Sequence, residues 1–187
     1  MRKFIPLFVI DKLSKIDWIR NVYRKYILKM PFDHELQEQG YTQVIKRNNI
    51  ALSMLPLVNE KVGALFSIVT PVYLPNLKHF QAMVESLLRQ RYTHWQLILV
   101  NDFSQCEKLD ALLEQYNQHK QITVIQRSTN GHISAASNDG LAVATGDYIV
   151  LLDHDDLLHC EALNAVALTI LADPDANILY SDEDKID

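Results

Sequence analysis

Gly146-Asp147-Tyr148-Ile149-Val150-Leu151-Leu152-Asp153-His154-Asp155-Asp156 sets an apolar run directly ahead of three carboxylates within four residues. The apolar part, Asp147 to Leu152, reads as a buried strand. In an open α/β sheet, ligands bind beyond the carboxyl ends of the strands, so the acidic group falls where a ligand is expected. Asp153, Asp155 and Asp156 repel one another, at a cost to stability unless a cation offsets it. Mg²⁺ and Mn²⁺ take oxygen ligands and bridge carboxylates to phosphate oxygens. The competing reading is a solvated acidic loop that also caps the following helix.

On either side of this stretch, strand and helix patterns alternate. Strands are predicted at Leu65–Thr70, Trp95–Val100, Ile122–Ile125, Asp147–Leu152 and Asn177–Tyr180. Helices are predicted at His79–Gln90, Lys108–His119, Ser134–Ala144 and Glu161–Leu171, the last stopped by Asp173-Pro174. Five short apolar strands between amphipathic helices call for an α/β fold, a mainly parallel sheet covered on both faces. Upstream the pattern differs. Ile16, Ile19, Val22, Tyr23, Tyr26 and Ile27 fall at helical spacing, and a second helix is expected over Asp33–Asn48. Pro56 and Gly63 then punctuate a linker. Residues 1–62 therefore read as a helical extension and linker, and residues 63–187 as the α/β domain.

Apolar residues make up 48% and charged residues 22%, a soluble globular composition that excludes a mainly disordered chain. The net charge of −5 argues against a nucleic-acid partner. Within residues 1–30, however, eight Lys and Arg stand against two Asp. That basic, partly apolar start suits peripheral contact with anionic lipid, or equally an ordinary packing helix. Cys106 and Cys160 form no disulfide framework and no CxxC, which fits a reducing cytoplasm. No apolar run is long enough to span a bilayer, and no signal-peptide cleavage site is apparent. The expected location is the cytoplasm, with residues 1–30 touching the inner face of the cell membrane.

The remaining strand ends supply further candidates. Thr70-Pro71-Val72-Tyr73 closes the first strand, and Tyr73 serves either core packing or base stacking. Asp102 stands just past the second strand, as a turn residue, a helix cap, or an acceptor for a base or ribose. His132, His154, His159 and Cys160 match no usual zinc spacing. No GxGxxG and no GxxxxGK[ST] is present, so the dinucleotide and P-loop readings lack their phosphate-binding loop. No Gly-x-Ser-x-Gly elbow appears.

Taken in order, these segments resemble the family-2 glycosyltransferases of the GT-A (Rossmann-like) fold over about residues 64–187. Thr70-Pro71-Val72-Tyr73 resembles the family's opening strand and Pro-x-Tyr. Leu99-Val100-Asn101-Asp102-Phe103-Ser104 resembles its Asp-Asp-Gly-Ser, with Asn101 in place of the first Asp and Phe103 in place of Gly. Asn130-Gly131 through Asn138, followed by Gly146-Asp147-Tyr148, is similar to its Asn/Gly-rich helix and the approach to the next strand. Asp153-His154-Asp155 is similar to its DxD. Asn130–Asn138, Leu151–Asp156 and Tyr180–Asp187 look especially like enzymes of bacterial O-antigen, capsule and rhamnan assembly.

The resemblance implies a metal-dependent, inverting transfer from a nucleotide-diphosphate sugar to a growing cell-surface polysaccharide or lipid-linked glycan. It implies that Pro71, Val72 and Tyr73 line the base pocket and that Asp102 hydrogen-bonds the base. Asp153 then faces the ribose or the metal's water shell, and Asp155 ligates Mn²⁺ or Mg²⁺, with Asp156 nearby. Asn138 and His154 are expected to help bind the nucleotide sugar. Ser137 stands where many members carry Arg. The family's catalytic base normally follows well after the DxD, so the base is expected beyond Asp187. A truncated, non-catalytic nucleotide-sugar-binding module is the alternative reading. A nucleotidyltransferase is disfavoured because no Gly-rich basic loop follows the first strand.

Overall fold

The computed structural model describes residues 2–5 and 38–185, with side chains described from residue 46 to 181. In chain order the elements are β1 (Arg2–Ile5), α1 (Glu38–Ser53), β2 (Phe66–Val72), α2 (Leu77–Leu88), β3 (Trp95–Asn101), α3 (Glu107–Asn117), β4 (Ile122–Gln126), α4 (His132–Val143), β5 (Tyr148–Leu151), β6 (Leu157–Leu158), α5 (Ala162–Ala172) and β7 (Asp182–Lys185).

Four strands form a wholly parallel sheet in the order β4-β3-β2-β5. The chain steps outward from β2 to β3 to β4, then crosses back to lay β5 on the other side of β2. The direction of winding therefore reverses between β2 and β5, which makes a crevice beyond their carboxyl ends. Register sets what meets there. Val72 pairs with Asn101, and Asn101 with Gln126, so three strands end level. Leu151 pairs with Val69, so the chain leaves β5 at Asp153 close to the level of Pro71 and Val72.

The central strands β2 and β3 are covered on both faces, as their near-continuous apolar runs require, whereas β5, expected to be buried, leaves Ile149 43% and Leu151 68% exposed on one face. On one face Phe66, Ile68, Val72, Leu97 and Leu99 pack against α2, α3 and α5 through Phe80, Leu87, Leu109 and Leu163, among others. On the other, Val69, Ile98 and Val100 pack against Ala136 of α4. α4 lies close because its contact face is small: a Cβ on Gly140 would stand 2.5 Å from Val69 Cγ1.

Residues before β2 join the same core. Leu52, Leu55 and Val58 belong to the main cluster. Buried Asn164 of α5 fastens them, accepting from Val58 N–H at 3.0 Å and donating to the Pro56 carbonyl at 3.1 Å. Arg91 donates to the Leu55 carbonyl and pairs with Glu161 at 2.9 Å.

Three expectations need correction. Residues 2–5, expected within the helical extension, are a strand: β1 pairs in parallel with β6 and antiparallel with β7. The rest of the predicted 1–30 helices lies outside the described residues. The helix expected over Asp33–Asn48 continues to Ser53, described as Glu38–Ser53 with residues 33–37 outside the described residues, because Ala51 and Leu52 dock on the core and carry it past the polar Asn48-Asn49. Asn177–Tyr180 is not a strand. It enters neither described sheet, and Ile178 and Tyr180 are 85% and 69% exposed, so the apolar run that suggested a buried strand is not buried. The strand follows at β7.

Candidate functional site

At the reversal point lies a crevice of about 460 Å³. Pro71, Val72 and Tyr73 reach it from the end of β2, and Asp102 from the end of β3. Asn130, His132, Ile133 and Ala136 reach it from the start of α4, and Asp153, His154 and Asp155 from the turn after β5. The strand-end segments singled out in the sequence thus share one wall. Tyr73 is exposed, leaving its ring face open to a planar ligand.

Asp102 is the buried anchor of the site, at 2% exposure. Its N–H donates to the Val72 carbonyl at 2.9 Å, locking β3's end to β2's. Its Oδ1 accepts from Gly131 N–H at 2.9 Å and from Arg127 Nη1. Burial pushes this carboxyl up. The Gly131 N–H, the Arg127 guanidinium and the His132 N–H outweigh burial and hold the carboxyl below its ordinary range. Asp102 therefore stays ionised, with acceptors only.

Asp153 and Asp155 are both exposed, with His154 half-buried between them. Neither carboxylate forms an ion pair or side-chain hydrogen bond with a described residue. Among the described residues, no three His, Cys, Asp or Glu side chains converge closely enough to hold a metal unaided. No described Lys or Arg lines the crevice. Two unpaired oxygen donors suit a hard divalent cation that takes its other ligands from water and a phosphorylated ligand.

Backbone strain gathers around this opening. Leu74, Phe103 and His132 hold φ values of 42°, 60° and 62°, each a non-glycine residue in the left-handed region. Ser104 Oγ accepts from Leu74 N–H at 3.1 Å and so joins the loops after β2 and β3. Asn101 does not enter the crevice. Its amide donates to Gln126 Oε1 at 2.7 Å and Asp110 Oδ1 at 3.2 Å, and its oxygen accepts from Ser104 N–H at 3.1 Å.

Asn138 stands apart from the other candidates. It is exposed on α4 and does not line the crevice. The crevice takes His132, Ile133 and Ala136 from that helix, and a residue two positions past Ala136 points roughly 200° round the axis. Arg127 went unread in the sequence. Its signal was available: Asn101 pairs with Gln126, so the next residues, Asp102 and Arg127, leave adjacent strands with opposite charges.

Comparison with known proteins agrees with this geometry. Residues 67–182 match the model of the family described as Glycosyl transferase family 2. The chain is 46% identical over 125 residues to the uncharacterized protein y4gI of Sinorhizobium fredii, covering 66% of this chain and 14% of that protein. It is 36% identical over 124 residues to the O-antigen biosynthesis protein RfbC of Myxococcus xanthus, covering 66% of this chain and 10% of that protein. The chain thus spans a small part of the length of these relatives. Among solved structures, TarS residues 1–349 of S. aureus superpose with a TM-score of 0.52 and 28% identity, covering 57% of this chain and 32% of that one. The same protein has been solved in complex with UDP-GlcNAc.

Proposed function

The chain belongs to glycosyl transferase family 2, and from that premise we propose that its crevice binds a nucleotide-diphosphate sugar for transfer to a growing cell-surface polysaccharide or lipid-linked glycan. The observation that carries the reading is the convergence of Tyr73, Asp102, Asp153 and Asp155 from three strand ends at the point where winding reverses. RfbC is named for O-antigen biosynthesis and TarS was solved with UDP-GlcNAc, which supports this donor and acceptor class.

Each residue then has a physical task. Tyr73, with Pro71 and Val72, offers a surface on which the base stacks. Asp102, fixed and ionised, accepts a hydrogen bond from the base. Asp155 and Asp153 hold a divalent cation, Mn²⁺ or Mg²⁺, with His154 beside them. When bound, the cation offsets the charge that develops on the leaving diphosphate. Without it, the phosphates face two carboxylates and no described Lys or Arg. Transfer proceeds with inversion: a carboxylate base takes the acceptor hydroxyl's proton as its oxygen bonds the anomeric carbon from the face opposite the diphosphate, and the anomeric carbon–oxygen bond to the diphosphate breaks to release the nucleoside diphosphate. Residues 1–30 bring the protein to the membrane surface that carries the acceptor.

A thermal-shift screen of nucleotide sugars, with and without Mn²⁺, tests the reading. At least one donor is expected to raise the melting temperature only when Mn²⁺ is present, and Asp155→Ala is expected to abolish that rise. A donor-induced rise that is equal in the variant contradicts it.

A further inference from the structure

Arg127 is not used by the mechanism above and does not line the crevice, yet it is the most heavily committed cation near it. Its Nη1 donates to Asp102 Oδ1 and its Nε to Asp139 Oδ2 at 2.7 Å. Its own N–H donates to the Asn101 carbonyl at 3.0 Å, tying the end of β4 to β3. The guanidinium lies directly over Gly131. A Cβ there would stand 2.3 Å from Nη1 and 2.7 Å from Nη2. Asn130 Nδ2 closes the arrangement by donating to the Asp102 carbonyl at 3.2 Å. The start of α4 is thus fastened to the end of β3 through one carboxylate oxygen, Oδ1. Asp102 also lines the crevice.

We propose that Arg127, tethered by Asp139, is a positioning residue that fixes the Asp102 carboxylate through Oδ1, so that the carboxylate keeps one orientation at the crevice and accepts a hydrogen bond from the base of the donor nucleotide. This rests on the nucleotide-sugar reading of the crevice and deepens it. A carboxylate hinged on two fixed donors presents its remaining lone pairs in one direction, and directional acceptance distinguishes base recognition from simple charge. Asp139 holds the guanidinium in plane from the solvent side. Gly131 is the residue whose missing side chain leaves room for it.

The test compares two probes on the full chain with Mn²⁺ present. One is whichever of UDP, dTDP and GDP binds most tightly. The other is inorganic pyrophosphate, which lacks a base. Arg127→Met is expected to weaken the nucleoside diphosphate about tenfold or more, the scale of a lost charge-assisted hydrogen bond, while pyrophosphate changes less than about twofold. Gly131→Ala, which displaces the guanidinium, is expected to give the same selective loss. Asp139→Asn is expected to give a smaller selective loss, and because Asp139 is exposed this variant decides the matter if Arg127→Met fails to fold. The pH profile supplies a second readout. Asp102 faces Arg127, the His132 N–H and the Asp139 pair, and shares the crevice with Tyr73, Asp153, His154 and Asp155. Removing the guanidinium takes away one of the groups that offset burial and leaves the Gly131 and His132 N–H donors, so nucleotide binding in Arg127→Met should begin to fall at a higher pH than in the wild type. Equal loss of both probes, or no loss of either, overturns the proposal. A wild-type chain that binds neither probe overturns the nucleotide-sugar reading and this proposal with it.

Discussion

Phe103 holds a φ of 60°, where glycine is the easier choice because a Cβ crowds the backbone in that region. Phe103→Gly is expected to leave stability unchanged or raise it by about 1 kcal/mol, as read from chemical denaturation. A fall of more than that would mean the half-exposed ring carries packing that the backbone strain merely accompanies. Asp155 makes the opposite case. Its carboxylate is exposed and without a described partner, so Asp155→Asn should leave the metal-free melting temperature unchanged or slightly higher, while Mn²⁺ stabilisation in the presence of nucleotide is lost. At this level the sequence was legible wherever chemistry and strand position agreed: Pro71, Val72, Tyr73, Asp102, Asp153, His154 and Asp155 all reach one crevice. It was not legible where the partner came from another strand. Asn138 looked like part of the same motif, but helical geometry turns it away. Arg127 follows Gln126, whose pairing with Asn101 sets it beside Asp102, and the sequence reading did not single it out.

The packing of α4 decides how the site is closed. Gly140 and Ala136 let the helix settle on Val69, Ile98 and Val100, and that close approach brings His132 and Ile133 to the crevice. Gly140→Val should overpack this contact and cost about 1–3 kcal/mol. Nucleotide affinity should fall with it, since the helix start moves away from Asp102. Full stability in that variant would show that α4 has room to spare. Asn164 plays a comparable part for the residues ahead of β2. Asn164→Ala leaves the Val58 N–H and the Pro56 carbonyl without their partner, at about 1–3 kcal/mol, read by urea unfolding. The strands β2 to β5 were readable to within a residue or two because each is an apolar run bounded by polar or turn residues, although only β2 and β3 are buried on both faces and β5 leaves Ile149 and Leu151 exposed. Asn177–Tyr180 carried the same signal without the burial. β1, expected within the helical extension, pairs instead with β6 and β7. Local pattern does not encode which partner a short segment will find.

Across the whole molecule, the buried ionisable groups set the limits of pH stability. Asp102 is held below its ordinary range in the fold, so its contribution is present above the ordinary carboxylate value and is lost as pH falls through the lowered one. The stability gap between the wild type and Asp102→Asn should therefore narrow as pH is taken from about 6 to about 2. Tyr92 works at the other end. Burial, then Glu60 and Asp147, push its hydroxyl up to about 12, and the hydroxyl donates to the Ala64 carbonyl at 2.7 Å. Its contribution is complete below the ordinary tyrosine value near 10 and is lost as pH rises from there towards 12. Tyr92→Phe should lose about 1 kcal/mol at neutral pH and show a shallower alkaline decline.

The most direct test of the crevice as a nucleotide-sugar site is a crystal of the chain grown with Mn²⁺ and its tightest-binding nucleoside diphosphate, examined for anomalous scattering at the manganese edge. The expected result is a single peak between Asp155 and the diphosphate, with the base against Tyr73 and within hydrogen-bond distance of Asp102. A nucleotide bound elsewhere, or a manganese peak away from Asp153 and Asp155, would contradict it.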